Sequence, residues 1–258
     1  MNRLKITAAI LIFMATAPLA FASEEFDKLE SEYNQARAKW YELREQTRQT
    51  SGEKDVAELP PRPSVKFMPR FRAFADKHAG KPEATPALMW IIGESNHQTD
   101  ADGKESHGVR ALKLLTEHHA ADPILAEHLK YFRYSAQHLP EALLFAFYDR
   151  VIEQNKENTA AAWALFGMGY RLYNASSTTS EADRADKLKQ AVAIFQRTID
   201  EYADEQAAKL AKGSIFEIEH LQVGMKAPDI VGVGMDGRTV KLSQYLGQVV
   251  VLDFWGLW

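Results

Sequence analysis

Val249-Val250-Val251-Leu252-Asp253-Phe254-Trp255-Gly256-Leu257-Trp258 stands at the end of a 258-residue chain. Three valines and a leucine followed by aromatics, with one carboxylate among them, predict a strand buried in the centre of a sheet. Just upstream, residues 230–242 (IVGVGMDGRTVKL) are rich in strand formers and break at Asp236-Gly237. That dipeptide predicts a β-hairpin. Ser243 is placed to cap a short helix over Gln244-Tyr245-Leu246, and Gly247 to end it. The expected order is hairpin, short helix, buried strand.

Working outward from this end, residues 65–222 change character. FMPRFRAFADKHAG, TPALMWIIGES, HGVRALKLLTEHHAAD, PILAEHLKYFRYSA, LPEALLFAFYDRVIEQN, NTAAAWALFGMGYRLY, DKLKQAVAIFQRTIDEYA and EQAAKLAKGSIFEIEHL all fit helical spacing. No strong strand signal precedes Ile230. Four places repeat one layout, an apolar helix, a polar break and a second apolar helix, with breaks after His78, His119, Asn155 and Tyr202. A drifting repeat of this length predicts a degenerate α-solenoid, in which each helix pair buries the face its neighbour leaves open. The segment AVAIFQRTIDEYADEQ resembles the second helix of a tetratricopeptide repeat. The expected fold is therefore mainly α, a tetratricopeptide-like helical repeat over 65–222, followed by a small α/β segment over 223–258.

The N-terminus reads as a targeting segment. Arg3 and Lys5 precede the apolar run ITAAILIFMATAPLA, and Ala20-Phe21-Ala22 has the small-x-small form of a cleavage site. We expect a signal peptide over 1–22, cleaved after Ala22, and a secreted or periplasmic product; the alternative is an uncleaved anchor, for which the run is short. Residues 23–50 predict one amphipathic helix, with Phe26, Leu29, Tyr33, Ala36, Trp40 and Leu43 on a single seam. That seam fits either a helix docked on the following domain or a dimerising coiled coil. Residues 51–64 (SGEKDVAELPPRPS) predict a linker held extended by adjacent prolines.

Composition narrows the chemistry. A net charge of −4 speaks against a nucleic-acid partner. There is no cysteine, so no thiolate chemistry is available to these residues. The loop 96–107 holds Asp100, Asp102 and Glu105 but lacks the carboxylate run, a central glycine at the right place and the closing glutamate of a calcium loop. His107, His118, His119 and His128 cluster in sequence, yet no HExxH spacing occurs. Neighbouring His118 and His119 diverge by about 100° on a helix, so local hydrogen bonding or solvation is expected rather than metal. Phe166-Gly167-Met168-Gly169-Tyr170 sits in a helical pattern, where its glycines predict close helix packing rather than a phosphate loop. No nucleophile elbow is present. We expect neither cofactor nor metal, and any function of the helical region itself to be a protein- or peptide-binding surface.

The C-terminal segment also carries a resemblance. Val223-Gly224-Met225-Lys226-Ala227-Pro228-Asp229 resembles the entry motif of the redoxin family, the thioredoxin-fold thiol–disulfide oxidoreductases and the alkyl hydroperoxide reductase/thiol-specific antioxidant group. Val240-Lys241-Leu242-Ser243 resembles that family's strand-to-helix step. The Asp253-to-Trp258 interval is similar to the one separating the buried carboxylate of these enzymes from the tryptophan before their first active cysteine. The resemblance implies that Asp253 is a proton acceptor for the second cysteine and that Trp258 shields the first. As a carboxylate amid apolar neighbours, Asp253 is expected to have a raised pKa. The family would place Cys-x-x-Cys after Trp258, so the redoxin domain is expected to be truncated. As written, the chain is expected to be an inactive front piece, with Asp253 and Trp258 vestigial. Protein disulfides are the implied substrate of any full-length form, and a peroxidase of the peroxiredoxin kind is a variant of it. The alternative is a secreted helical-repeat scaffold or protein-binding module with a vestigial redoxin segment. In either case 249–254, lacking cover, is expected to be poorly packed, aggregation-prone or docked on the helical region.

Overall fold

The computed structural model describes residues 23–51, 59–95, 105–156, 158–177 and 180–253. It is predominantly helical with a small two-stranded sheet. The chain divides into two compact units, Met1–Ile124 and Leu125–Trp258.

In the first unit, α1 (Glu24–Ser51) packs on α2 (Pro63–Lys77), α2 on α3 (Ala84–Ser95), and α3 on α4 (His107–Leu114). Glu24, Glu25 and Asp27 lie in the first turn of α1, where carboxylates favour the exposed N–H groups. Pro63 opens α2 at a position that has no N–H to satisfy. The seam of α1 is covered over its first half only. Phe26, Leu29 and Tyr33 are buried, and Tyr33 stands edge-on to Trp90 at 4.9 Å. Trp90 in turn stacks on Phe71 at 3.6 Å. Surface ion pairs Glu25–Lys77 (2.7 Å) and Glu32–Arg70 (2.6 Å) flank this docked half. Farther along, Leu43 is exposed. Trp40 is met by the returning linker, donating its indole N–H to the Pro60 carbonyl (2.8 Å) beneath the Arg62 guanidinium. The docked-helix alternative describes α1. Residues 52–58 of the expected linker and 96–104 of the acidic loop lie outside the described residues, as does the expected signal segment 1–22.

Ser106 caps α4 by accepting the Val109 N–H (3.1 Å). The helix then widens into a π-turn, Leu115–His119. This local irregularity changes where His118 and His119 point, and their rings end 6.3 Å apart and nearly perpendicular.

The second unit is built around α7 (Thr159–Ser176), which contacts α5 (Leu125–Ser135), α6 (Glu141–Gln154), α8 (Glu181–Glu201) and α9 (Gln206–His220). Residues 160–169 of α7 are all buried, as a helix with apolar residues on every face must be. Asn158 caps its start by accepting the Ala160 N–H (2.8 Å). Its two glycines let neighbours in. A Cβ on Gly167 would lie 2.7 Å from the Tyr148 ring of α6, and one on Gly169 would lie 2.7 Å from the Phe195 ring of α8. α8 buries one stripe, Ala191, Phe195 and Thr198. Mostly, helices adjacent in sequence are adjacent in space, while α5 and α9 also reach α7.

After α9 the chain forms β1 (Val231–Val233) and β2 (Thr239–Lys241), antiparallel with Val231 opposite Lys241, Gly232 opposite Val240 and Val233 opposite Thr239. The hairpin turns at Asp236-Gly237, where Gly237 takes φ +78° and Asp236 accepts the Arg238 N–H (3.0 Å). Two expectations are corrected here. Ser243 does not cap the short helical turn Leu242–Tyr245. The cap is Lys241, whose N–H is accepted by the Gln244 side chain (3.0 Å). Residues 249–253 form no central strand. They carry no regular structure and are exposed, because β1 and β2 pair only with each other and offer no sheet to enter.

Candidate functional site

The entry segment and the hairpin are tied by one carboxylate. Asp229 Oδ1 accepts the Ser243 N–H (2.8 Å) and Oδ2 accepts the Ser243 hydroxyl (2.9 Å). These bonds, the backbone one foremost, hold the Asp229 carboxyl below its ordinary range. The Leu242 N–H donates to the Ile230 carbonyl (2.9 Å) and extends the pairing by one step. Pro228, with no N–H, lies before β1 rather than within it. The residues singled out as a cap and an entry motif therefore meet, 14 positions apart in sequence.

Two open hollows flank this lock. One, of about 620 Å³, lies between α9 and the entry segment and is lined by Phe216, His220, Lys226, Pro228, Leu242 and Leu246 among others. The other, of about 350 Å³, is almost wholly apolar and runs along the hairpin, with Ile230, Val233, Val240, Tyr245, Val250 and Leu252 on its walls. Val249 and Val251 project into solvent, 97% and 87% exposed. With the hollow, they leave a run of apolar side chains open to solvent at this end of the described chain.

Asp253, expected to be enclosed among apolar residues, is instead exposed. The expectation assumed a strand with sheet on both sides, which the described residues do not contain. Trp258 lies outside the described residues. The structure brings Asp229 and Ser243 together, and among the described residues it places no partner beside Asp253.

A second polar constellation sits inside the first unit, and sequence reasoning did not assemble it. Thr85, His119 and Asp122 are all buried. The Thr85 hydroxyl donates to Asp122 Oδ2 (2.7 Å) and lies 3.1 Å from His119 Nδ1. Having given its only proton to the carboxylate, the hydroxyl accepts from His119, which fixes the proton on Nδ1. Burial keeps the His119 pKa below its ordinary value, against the opposing pull of Asp122. The chain of bonds runs His to Thr to Asp, so the histidine has no hold on a nucleophile's proton. It ties the start of α3 to the π-turn and serves structure. The His/Asp spacing is visible in sequence, but Thr85 is 34 residues from His119, and no periodic signal joins them. Among the described residues no group of three or more His, Asp or Glu side chains is arranged to hold a metal. No helix there is long and apolar enough to cross a membrane.

Comparison with known proteins yields one kind of match. The thiol-disulfide oxidoreductases ResA of Bacillus thuringiensis (strain Al Hakam) and Bacillus anthracis are each 35% identical to this chain over 49 residues. That stretch is 19% of this chain and 28% of each relative. The chain thus spans little more than a quarter of the curated relatives it matches. No family model matches, and no solved structure does. The similarity supports a distant link to the redoxin superfamily.

Proposed function

We propose that this chain is the front part of an exported thiol–disulfide oxidoreductase of the thioredoxin-like type. In this reading a signal peptide ending at Ala22 delivers it outside the cytoplasm. A tetratricopeptide-like helical repeat over 65–222 precedes the opening of a redoxin domain over 223–258. The observation that carries the reading is the 35% identity to thiol-disulfide oxidoreductases. It agrees with a folded entry segment in which Asp229 locks the hairpin to the following turn.

The chemistry of disulfide exchange needs a thiolate to attack one sulfur and an acceptor for the proton of the second thiol. These 258 residues contain no cysteine, so by themselves they exchange nothing. Asp253 would be the proton acceptor and Trp258 the shield of the first thiol in a domain completed by further strands and helices. The exposed wall formed by Ile230, Val233, Val240, Val250 and Leu252 is the face those elements would cover.

The test is to read the gene past the Trp258 codon in all three frames and to assay the product for reduction of insulin disulfides. A Cys-x-x-Cys followed by the rest of a thioredoxin fold, with activity, is the expected result. A genuine stop followed by unrelated sequence would overturn the proposal and leave the helical region to supply the function.

A further inference from the structure

Arg133 of α5 is 8% exposed, and the described residues contain no carboxylate paired with it. Its guanidinium carbon lies 4.2 Å from the Tyr134 ring centroid, 5.3 Å from Phe166, 5.6 Å from Tyr170 and 5.7 Å from Trp163. It donates to the Lys130 carbonyl and to the Tyr134 hydroxyl (2.7 Å). The Nε–H is buried without an acceptor. Arg171, one residue beyond Tyr170 on α7, also has a buried Nε–H without a hydrogen bond, but unlike Arg133 it has a counter-ion. It donates to the carbonyls of Gln137 and Leu139 and pairs with Glu141 at 3.5 Å.

A buried cation held by ring faces and two neutral acceptors, with an unused N–H, is only partly compensated. The rings hold the fork in place, so little entropy remains to be lost when an anion arrives. Beside it the surface is aromatic and open: Tyr134 is 56% and Tyr131 63% exposed, with the Lys130 ammonium 5.3 Å from the Tyr131 ring. Tyrosine and arginine grouped round a desolvated centre are the composition of an interface hot spot.

We infer that the Arg133 cage, with Lys130, Tyr131 and Tyr134, is a docking site for an acidic peptide segment of a partner protein. A carboxylate of the peptide pairs with the Arg133 fork, and an adjacent side chain packs between Tyr131 and Tyr134. Charge complementarity selects the occupant: the site is a local positive centre on a chain of net charge −4, and a carboxylate is what its guanidinium lacks. The inference is independent of the redox reading, since no residue of 223–258 takes part.

Isothermal titration calorimetry of the full chain tests it, with the peptide Gly-Ser-Glu-Tyr-Glu-Gly-Ser and its analogue bearing Gln for both Glu. Saturable binding of the acidic peptide is expected, with the Gln analogue weaker by about tenfold or more, as loss of a charge-assisted pair implies. Tyr131→Ser, at an exposed position outside the cage, should weaken binding several-fold without shifting Tm, whereas Tyr134→Ser should weaken binding and also lower Tm, because the Tyr134 hydroxyl accepts from the buried Arg133. Arg133→Lys, which keeps the charge and loses the fork, should also bind more weakly. The inference is overturned by no binding at peptide concentrations up to about 1 mM, a millimolar Kd being the weakest worth calling recognition. Equal affinity for the two peptides also overturns it, as does displacement of the peptide by equimolar inorganic phosphate, which would assign the cage to a small anion.

Discussion

Alanine placed at Gly169 and at Gly213 should move stability in opposite directions. Both glycines lie inside helices, α7 and α9 respectively. Replacing either by alanine removes the same backbone penalty, about 0.8–1.0 kcal/mol of helix propensity. At Gly213 the new methyl meets no heavy atom within 4 Å, so that gain stands alone and the variant should be about 1 kcal/mol more stable. At Gly169 the Cβ falls 2.7 Å from Cε1 and 2.8 Å from Cδ1 of Phe195. The Phe195 ring is fully buried and sits 5.3 Å from Phe166, so it cannot swing away without disturbing a second ring. Forcing a methyl into such a contact costs about 1–3 kcal/mol. The net effect of Gly169→Ala is therefore a loss of roughly 0–2 kcal/mol. Because the backbone contribution cancels in the comparison, the two variants should differ by about 1–3 kcal/mol. Urea unfolding followed by helical circular dichroism measures this. In Tm the separation is roughly 2–4 °C per kcal/mol for a chain of this size. Trimming the partner in the double variant Gly169→Ala/Phe195→Leu should return part of the loss, a non-additivity that a propensity effect does not produce. If Gly169→Ala stabilises as much as Gly213→Ala, helices α7 and α8 do not approach as described and the packing argument fails.

Three further outcomes are expected. His119→Gln should flatten the acid limb of stability. Burial depresses the folded-state pKa of His119 below 6.5, so the unfolded chain binds the extra proton first and the native protein loses stability as pH falls below about 6.5; Tm profiles of the two proteins that stay parallel from pH 7 to 5 would count against the buried Thr85–His119–Asp122 tie. Asp229→Ala should speed amide hydrogen exchange at Ser243 several-fold and leave α7 and α8 amides unchanged, and in the parent protein the same protection should fade only in acid, as pH drops through the depressed Asp229 pKa. Val250→Lys together with Leu252→Lys should reduce binding of the dye ANS and raise solubility with little change in Tm, since both side chains line an open apolar hollow; undiminished dye binding would mean that the exposed apolar surface lies elsewhere.

What could be read from residues alone follows from the range of the interactions involved. α7 was legible because burial on every face leaves an uninterrupted apolar run, and its glycines were legible because a helix interior tolerates glycine only for a reason such as close approach. The hairpin was legible because Asp236-Gly237 acts within four residues. The half-docked α1 was not. Phe26 and Trp40 occupy equivalent seam positions, and what separates them is that Phe26 meets the Phe71 and Phe74 rings of α2 while Trp40 meets the chain's own linker at Pro60. Periodicity reports that a face is apolar and is silent on what covers it.

The same limit explains Asp253 and Arg133 together. In sequence Asp253 looks enclosed, because its neighbours are apolar, and Arg133 looks exposed, because arginine in a helix usually is. The structure reverses both. Among the described residues Asp253 has no sheet around it, and it faces solvent together with Val251 and Leu252. Arg133 is covered by aromatic residues contributed from 30 to 37 positions away, on α7. Burial of a charge is decided by tertiary neighbours, and a charge buried without a counter-ion persists only where the surrounding structure holds it there. On that argument the docking site we propose rests on the Arg133 guanidinium, which the family resemblance does not mention, and not on Asp253. The peptide titration therefore bears on these 258 residues whatever the gene encodes beyond Trp258.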